Sequence, residues 1–165
     1  MVERAQLELD AFVATGYPGV VAAVGLITGN RQDAADAVQD AIVGYLAKPP
    51  SREIRNQAAW FTVVASNRER DLQRSRAAEA RAYAKLGEVE EATEAALDGL
   101  DVDVVAALNS LPLQQKQVCV LHYLLDQSVE TIAEGLGVAD GTVKTQLHRA
   151  RKALAARLRK EDHRG

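Results

Sequence analysis

The chain carries a single cysteine, Cys119, in 165 residues. A lone thiol excludes an internal disulfide framework and a zinc site built on several cysteines. It also fits a reducing compartment. Aromatic residues make up only 4%, which disfavours strand-rich sandwiches and barrels. No apolar run approaches the roughly 18 residues a membrane-spanning helix needs. The opening MVERAQLELD lacks the basic-then-apolar order of a secretory signal. There is no Gly-rich phosphate loop, no nucleophile elbow and no metal-ligand spacing, so no enzyme activity, cofactor or metal is expected. Cys119 and His122 lie three apart, but Cys119 sits between Val118 and Val120 and reads as a buried structural thiol. Hydrophobic residues reach 47% and charged residues 26%, enough for a folded core. Alanine and leucine are abundant, which favours helices. The expectation is a soluble, cytoplasmic, all-α protein without membrane insertion.

Net charge is −3, unevenly spread. Residues 1–81 balance ten bases against ten acids. Residues 82–110 carry one base, Lys85, against seven acids. Residues 141–160 hold seven bases (Lys144, Arg149, Arg151, Lys152, Arg157, Arg159, Lys160) and no acid. A polyanion-binding surface near the C-terminal end, behind an acidic spacer, is the natural reading.

Apolar spacing predicts a helix over 3–14 and a second apolar segment from Val20 to Ile27 that stops at Gly29-Asn30. A third helix is predicted over 32–47, with Ala35, Val38, Ile42 and Leu46 on its core face and Asp36, Gln39 and Asp40 away from it. Pro49-Pro50 ends it. A long helix follows from Ala58 to Arg81, with Trp60, Phe61, Val64, Ala65 and Leu72 as its stripe and arginines along its second half. Residues 83–100 read as a flexible, partly helical acidic linker between two small helical domains, 1–82 and 101–165. In the second domain, Val104, Val105 and Leu108 mark a short helix ending before Pro112, and another helix is predicted over 113–125.

Residues 128–154, SVETIAEGLGVADGTVKTQLHRARKAL, have the parts of a helix-turn-helix in order. Ser128 is an N-cap. Ile132, Ala133 and Leu136 face inward, and Ala133 is small enough for close helix crossing. Gly137 suits a left-handed helix end. Val138 fills the turn, Asp140 caps the next helix, and Val143 and Leu147 anchor it. Outward positions Thr142, Lys144, Thr145, Gln146, His148 and Arg149 suit base edges and phosphates, and Arg151 and Lys152 suit phosphate.

At this point the sequence resembles a known family. LPLQQKQVCVLHYLLDQSVETIAEGLGVADGTVKTQLHRARKALAARL (111–158) resembles region four of bacterial sigma factors of the extracytoplasmic-function (ECF) group. LITGNRQDAADAVQDAIVGYLAK (26–48) and AWFTVVASNRERDLQR (59–74) resemble region two of the same group. The resemblance implies that region two binds the β′ clamp helices of core RNA polymerase and recognises the minus-ten promoter element. It implies that region four reads the minus-thirty-five element and contacts the β flap. By position, Asp36, Gln39 and Asp40 match the polymerase-binding helix. Lys144, Thr145, His148, Arg149 and Arg151 match positions facing the upstream element. The downstream element falls to the loop AKPPSREIRNQ (47–57), with Ser51, Arg52 and Arg55, and to Asn67, Arg70 and Arg74. The loop departs from the family in its two prolines, and the basic run after Asp71 is thinned. Trp60 and Phe61 read as core residues rather than strand-stacking aromatics. An anti-sigma factor commonly holds the two regions together in this family. Two other readings stay open from the residues alone. One is a conventional helix-turn-helix regulator binding duplex DNA without polymerase, and the other is a polymerase-binding adaptor with decayed DNA contacts.

Overall fold

The computed structural model describes residues 2–83 and 101–162. The linker expected over 83–100 lies, Tyr83 apart, outside the described residues. Among these residues every regular element is helical, as the composition predicts. No single helix among them is long and apolar enough to cross a membrane.

The first half comprises α1 (Val2–Thr15), α2 (Tyr17–Thr28), α3 (Arg31–Ala47) and α4 (Gln57–Tyr83). Asn30 starts α3 by accepting from the backbone N–H groups of Gln32 and Asp33, both at 3.1 Å. Asn56 starts α4 in the same way, accepting from Ala59 N at 2.9 Å. The chain's few aromatics are concentrated in this core. Phe12 stacks on Phe61 at 4.8 Å, and Trp60 meets Phe61 edge-on at 5.0 Å. Tyr45 closes the group against both Trp60 and Phe61. Phe61 is fully buried and Trp60 half-buried against the same cluster.

The core faces of α3 and α4 differ from the sequence expectation. The buried stripe of α3 is Ala34, Ala37, Val38, Ala41 and Tyr45, whereas Leu46 is 53% exposed. Small alanines let α3 approach its neighbours closely, and a reading weighted toward large apolar residues passes over them. Along α4, burial falls on Ala59, Phe61, Thr62, Val63, Ala65, Ser66 and Glu69, and Leu72 lies beyond the core at 41% exposure.

The second half comprises α5 (Val102–Asn109), α6 (Leu113–Cys119), a π turn (Val120–Leu124), α7 (Val129–Leu136) and α8 (Asp140–Asp162). The single helix expected over 113–125 is therefore interrupted. Leu125 N donates to Val120 O, an i→i+5 bond of 3.2 Å. The wider turn buries Val120 and Leu121 and leaves Tyr123 and Leu124 outside. The segment ends at Asp126, whose φ is 52°.

The two halves share two apolar cores. In one, Ala23, Leu26 and Ile27 of α2 pack with Leu108, Leu111, Cys119, Val120 and Ala150. In the other, Ala59 and Val63 of α4 pack with Val118, Leu121, Ile132, Ala133, Val143 and Leu147. The sequence reading treats the halves as separate units, because amphipathic spacing shows that a face is apolar but not which neighbour covers it.

Candidate nucleic-acid interface

The helix-turn-helix is built as its residues require. Ser128 Oγ accepts from Thr131 N at 3.1 Å and caps α7. Gly137 closes α7 at φ 70°, where a side chain is strained. Val138 N then donates back to Ala133 O at 3.0 Å, completing the tight turn. Asp140 differs from expectation. It is the first residue of α8 rather than its cap, and the backbone carbonyl of Ala139 begins the helix. Its carboxylate still lies in the first turn, where the helix dipole favours negative charge.

Val143, Leu147 and Ala150 are buried and fix the rotation of α8. That rotation exposes Thr142, Lys144, Thr145, His148, Arg149 and Lys152. Two residues expected on the outward face are engaged inside the protein. Gln146 is half-buried and donates to Gln114 Oε1 at 2.8 Å. Arg151 donates through Nε to the Tyr123 hydroxyl, and its guanidinium lies 5.6 Å from that ring centre. Thr145 returns its hydroxyl to Gly141 O at 2.9 Å.

In the first half, Asp36, Gln39 and Asp40 are exposed on α3 as expected. Val43 and Leu46 are exposed beside them, at 63% and 53%. The sequence reading missed both, although Val43 follows Asp36, Gln39 and Asp40 at helical spacing. The face is therefore mixed acidic and apolar. Ser51 is exposed in the loop after α3. Arg52 Nη2 donates to Glu134 O at 3.2 Å, and Arg55 Nε lies 3.7 Å from Glu134 Oε1. Asn67 accepts from Gln117 Nε2 at 2.8 Å. Arg74 is exposed, and Arg70 is half-buried with its Nε unpaired.

Three ionisable groups are perturbed. Burial pushes the Glu69 carboxyl above its ordinary value, and the neighbouring Asp33 carboxylate adds to this while Arg76 opposes it. Arg76 Nη1 sits 3.0 Å from Asp33 Oδ2 and 3.8 Å from Glu69 Oε1. Burial lowers the Lys116 ammonium, and the Arg70 charge across the seam lowers it further. Burial raises the Cys119 thiol, in keeping with its structural role. Among the described residues no cluster of ligands could hold a metal ion.

The folded helix-turn-helix, with its acid-free outward face, defines a DNA-reading protein. Its place in that class follows from its likeness to known proteins. The Sigma-70, region 4 family matches residues 101–154. The ECF RNA polymerase sigma factor SigW of Bacillus subtilis is 31% identical over 146 residues, covering 79% of this chain and 78% of the relative. The RNA polymerase sigma-E factor of Streptomyces coelicolor is 31% identical over 159 residues, covering 94% and 86%. The crystal structure of the sigma factor RpoE in complex with the anti-sigma factor NepR from Bartonella quintana is similar at a TM-score of 0.73 and 28% identity, covering 92% of this chain and 97% of that one. The chain belongs to the ECF RNA polymerase sigma factors.

Proposed function

We propose that this chain is an alternative sigma factor, which binds core RNA polymerase and directs it to promoters to begin transcription. The observation that carries the reading is the face of α8. Lys144, His148, Arg149 and Lys152 stand exposed on a helix locked by buried Val143, Leu147 and Ala150. This face reads the minus-thirty-five element, with Thr142 and Thr145 beside it. Arg151 and Gln146 support the helix from behind. The loop with Ser51, Arg52 and Arg55, together with Asn67, Arg70 and Arg74 of α4, takes the minus-ten element. Asp36, Gln39, Asp40, Val43 and Leu46 dock on the β′ clamp helices, and the second half meets the β flap. The chain supplies recognition and positioning, while the chemistry belongs to the polymerase. It therefore works in the cytoplasm, where core enzyme and DNA are. An anti-sigma factor is a fitting regulator, given the complex in which the similar RpoE was seen.

Seven bases on a short stretch give modest affinity for free DNA. Promoter affinity comes from both halves acting together on the polymerase. The test is to add purified chain to bacterial core RNA polymerase with a randomised promoter library and sequence the templates that initiate. Enrichment of a two-part motif is the expected result. No association with core at low salt overturns the reading. Tight binding of a dimer to duplex DNA without polymerase replaces it with a conventional regulator, and binding to core without initiation replaces it with an adaptor.

A further inference from the structure

We propose that the free chain is held shut by its own helix-turn-helix, because α6 and α7 sit on the loop and α4 residues that take the minus-ten element. The inference rests on the sigma-factor reading and adds to it an intrachain latch.

Four polar contacts cross the seam at those residues. Arg52 donates to the Glu134 carbonyl in the last turn of α7 at 3.2 Å. That carbonyl lies at the negative end of a helix, where a cation is favoured. Arg55 pairs with the Glu134 carboxylate at 3.7 Å. Asn56 Nδ2 donates to Gln127 Oε1 at 2.7 Å. Gln117, itself 2% exposed, donates to Ser66 Oγ at 2.9 Å and to Asn67 Oδ1 at 2.8 Å. Beneath them, Gly135 lies against α4. A Cβ there would stand 3.8 Å from Ala59 Cβ and 3.8 Å from Val63 Cγ2. Ala59 and Val63 are covered by the buried face of the helix-turn-helix.

The latch and the promoter therefore compete for the same groups. A nucleotide strand cannot reach Arg52, Arg55 and Asn67 while α6 and α7 hold them. The seam need not be strong. The halves are covalently joined, so their effective concentration is of order millimolar, and a seam of about millimolar intrinsic affinity closes half the molecules. The face of α3 carrying Asp36, Asp40 and Val43 is exposed in this closed arrangement. Polymerase can thus engage the shut chain by α3 first and part the halves afterwards.

The test is a full-length Ala59→Cys/Gly135→Cys chain. The 3.8 Å Cβ separation matches that of a disulfide, and the native Cys119 is buried and does not compete. Mild oxidation of the free chain should cross-link most molecules, and prior addition of core polymerase with promoter should suppress the cross-link. Initiation from a promoter selected with the unmodified chain should fall at least about tenfold in the oxidised protein and return with reductant. A free chain that does not cross-link, with an unchanged melting profile, overturns the closed state. An oxidised chain that initiates as well as the reduced one overturns the occlusion. Gly135→Phe provides a second arm, wedging the seam without adding charge. It should raise the free chain's affinity for the single-stranded minus-ten oligonucleotide severalfold, and unchanged affinity counts against the latch. Cross-linking is read without polymerase, so failure of the seam is distinct from failure of the sigma reading. The latter shows as a reduced, folded chain that does not bind core, and the occlusion claim falls with it.

Discussion

Arg149 and Lys152 are neighbours on one helix face but should fail differently when removed. Arg149 lies close enough to the start of α8 to meet base edges. Arg149→Ala should cost about 1–3 kcal/mol at promoters with the preferred base and little at others. Lys152 lies later, where phosphate is within reach. Lys152→Ala should weaken all promoters alike and reduce the salt slope by about one. Initiation measured on matched and mismatched upstream elements at two salt concentrations separates the two. Gly137 makes a purely structural prediction. Its φ of 70° puts any side chain in the left-handed region, so Gly137→Ala should lose about 1–2 kcal/mol. A lower urea midpoint at unchanged slope is the check. Glu69 gives a pH prediction. Its folded-state value is raised, chiefly by burial, so the folded protein holds a proton that the unfolded chain has already released. Stability at this site is therefore present below the ordinary value of 4.5 and lost as pH rises through the raised one. Glu69→Gln should melt higher than the parent at neutral pH, with the gap closing toward acid.

At the scale of elements, the helix-turn-helix was the most legible part of the chain. Ser128, Ala133, Gly137, Val143 and Leu147 each have a position-specific job that only this geometry asks of them. Helix α3 was less legible because its buried stripe is mostly alanine, so Leu46 looked like core and is instead exposed beside Asp36 and Asp40. Gln146 and Arg151 were misjudged for another reason. Helical spacing gives direction around an axis, about 100° per residue, but not the position of α6 and the π turn that receive them. The π turn itself leaves no local signature in VLHYL. The α4–α6 seam carries its own prediction. Lys116 is 5% exposed and faces Arg70. Its ammonium is lowered first by burial and then by that like charge. The closed protein is thus penalised at low pH, and the penalty is relieved as pH rises through the lowered value toward 10.5. Lys116→Met should raise the melting temperature at neutral pH, with the advantage shrinking in alkali.

At the scale of the whole molecule, the charge pattern and the order of its parts were readable in advance, and the contact between the halves was not. Nothing in Ala23, Leu26, Ile27, Ala59 or Val63 says that residues about fifty to more than a hundred positions away will cover them. Covering them has a practical result for anyone who cuts the chain between Tyr83 and Asp101. Each fragment would come away with a raw greasy facet, one lined by α2 and α4, the other by Val118, Leu121 and Val120. Such pieces should clump or pair with themselves at concentrations where the intact chain runs as a monomer, and mixing the two should dissolve the clumps by letting each piece find its old mate.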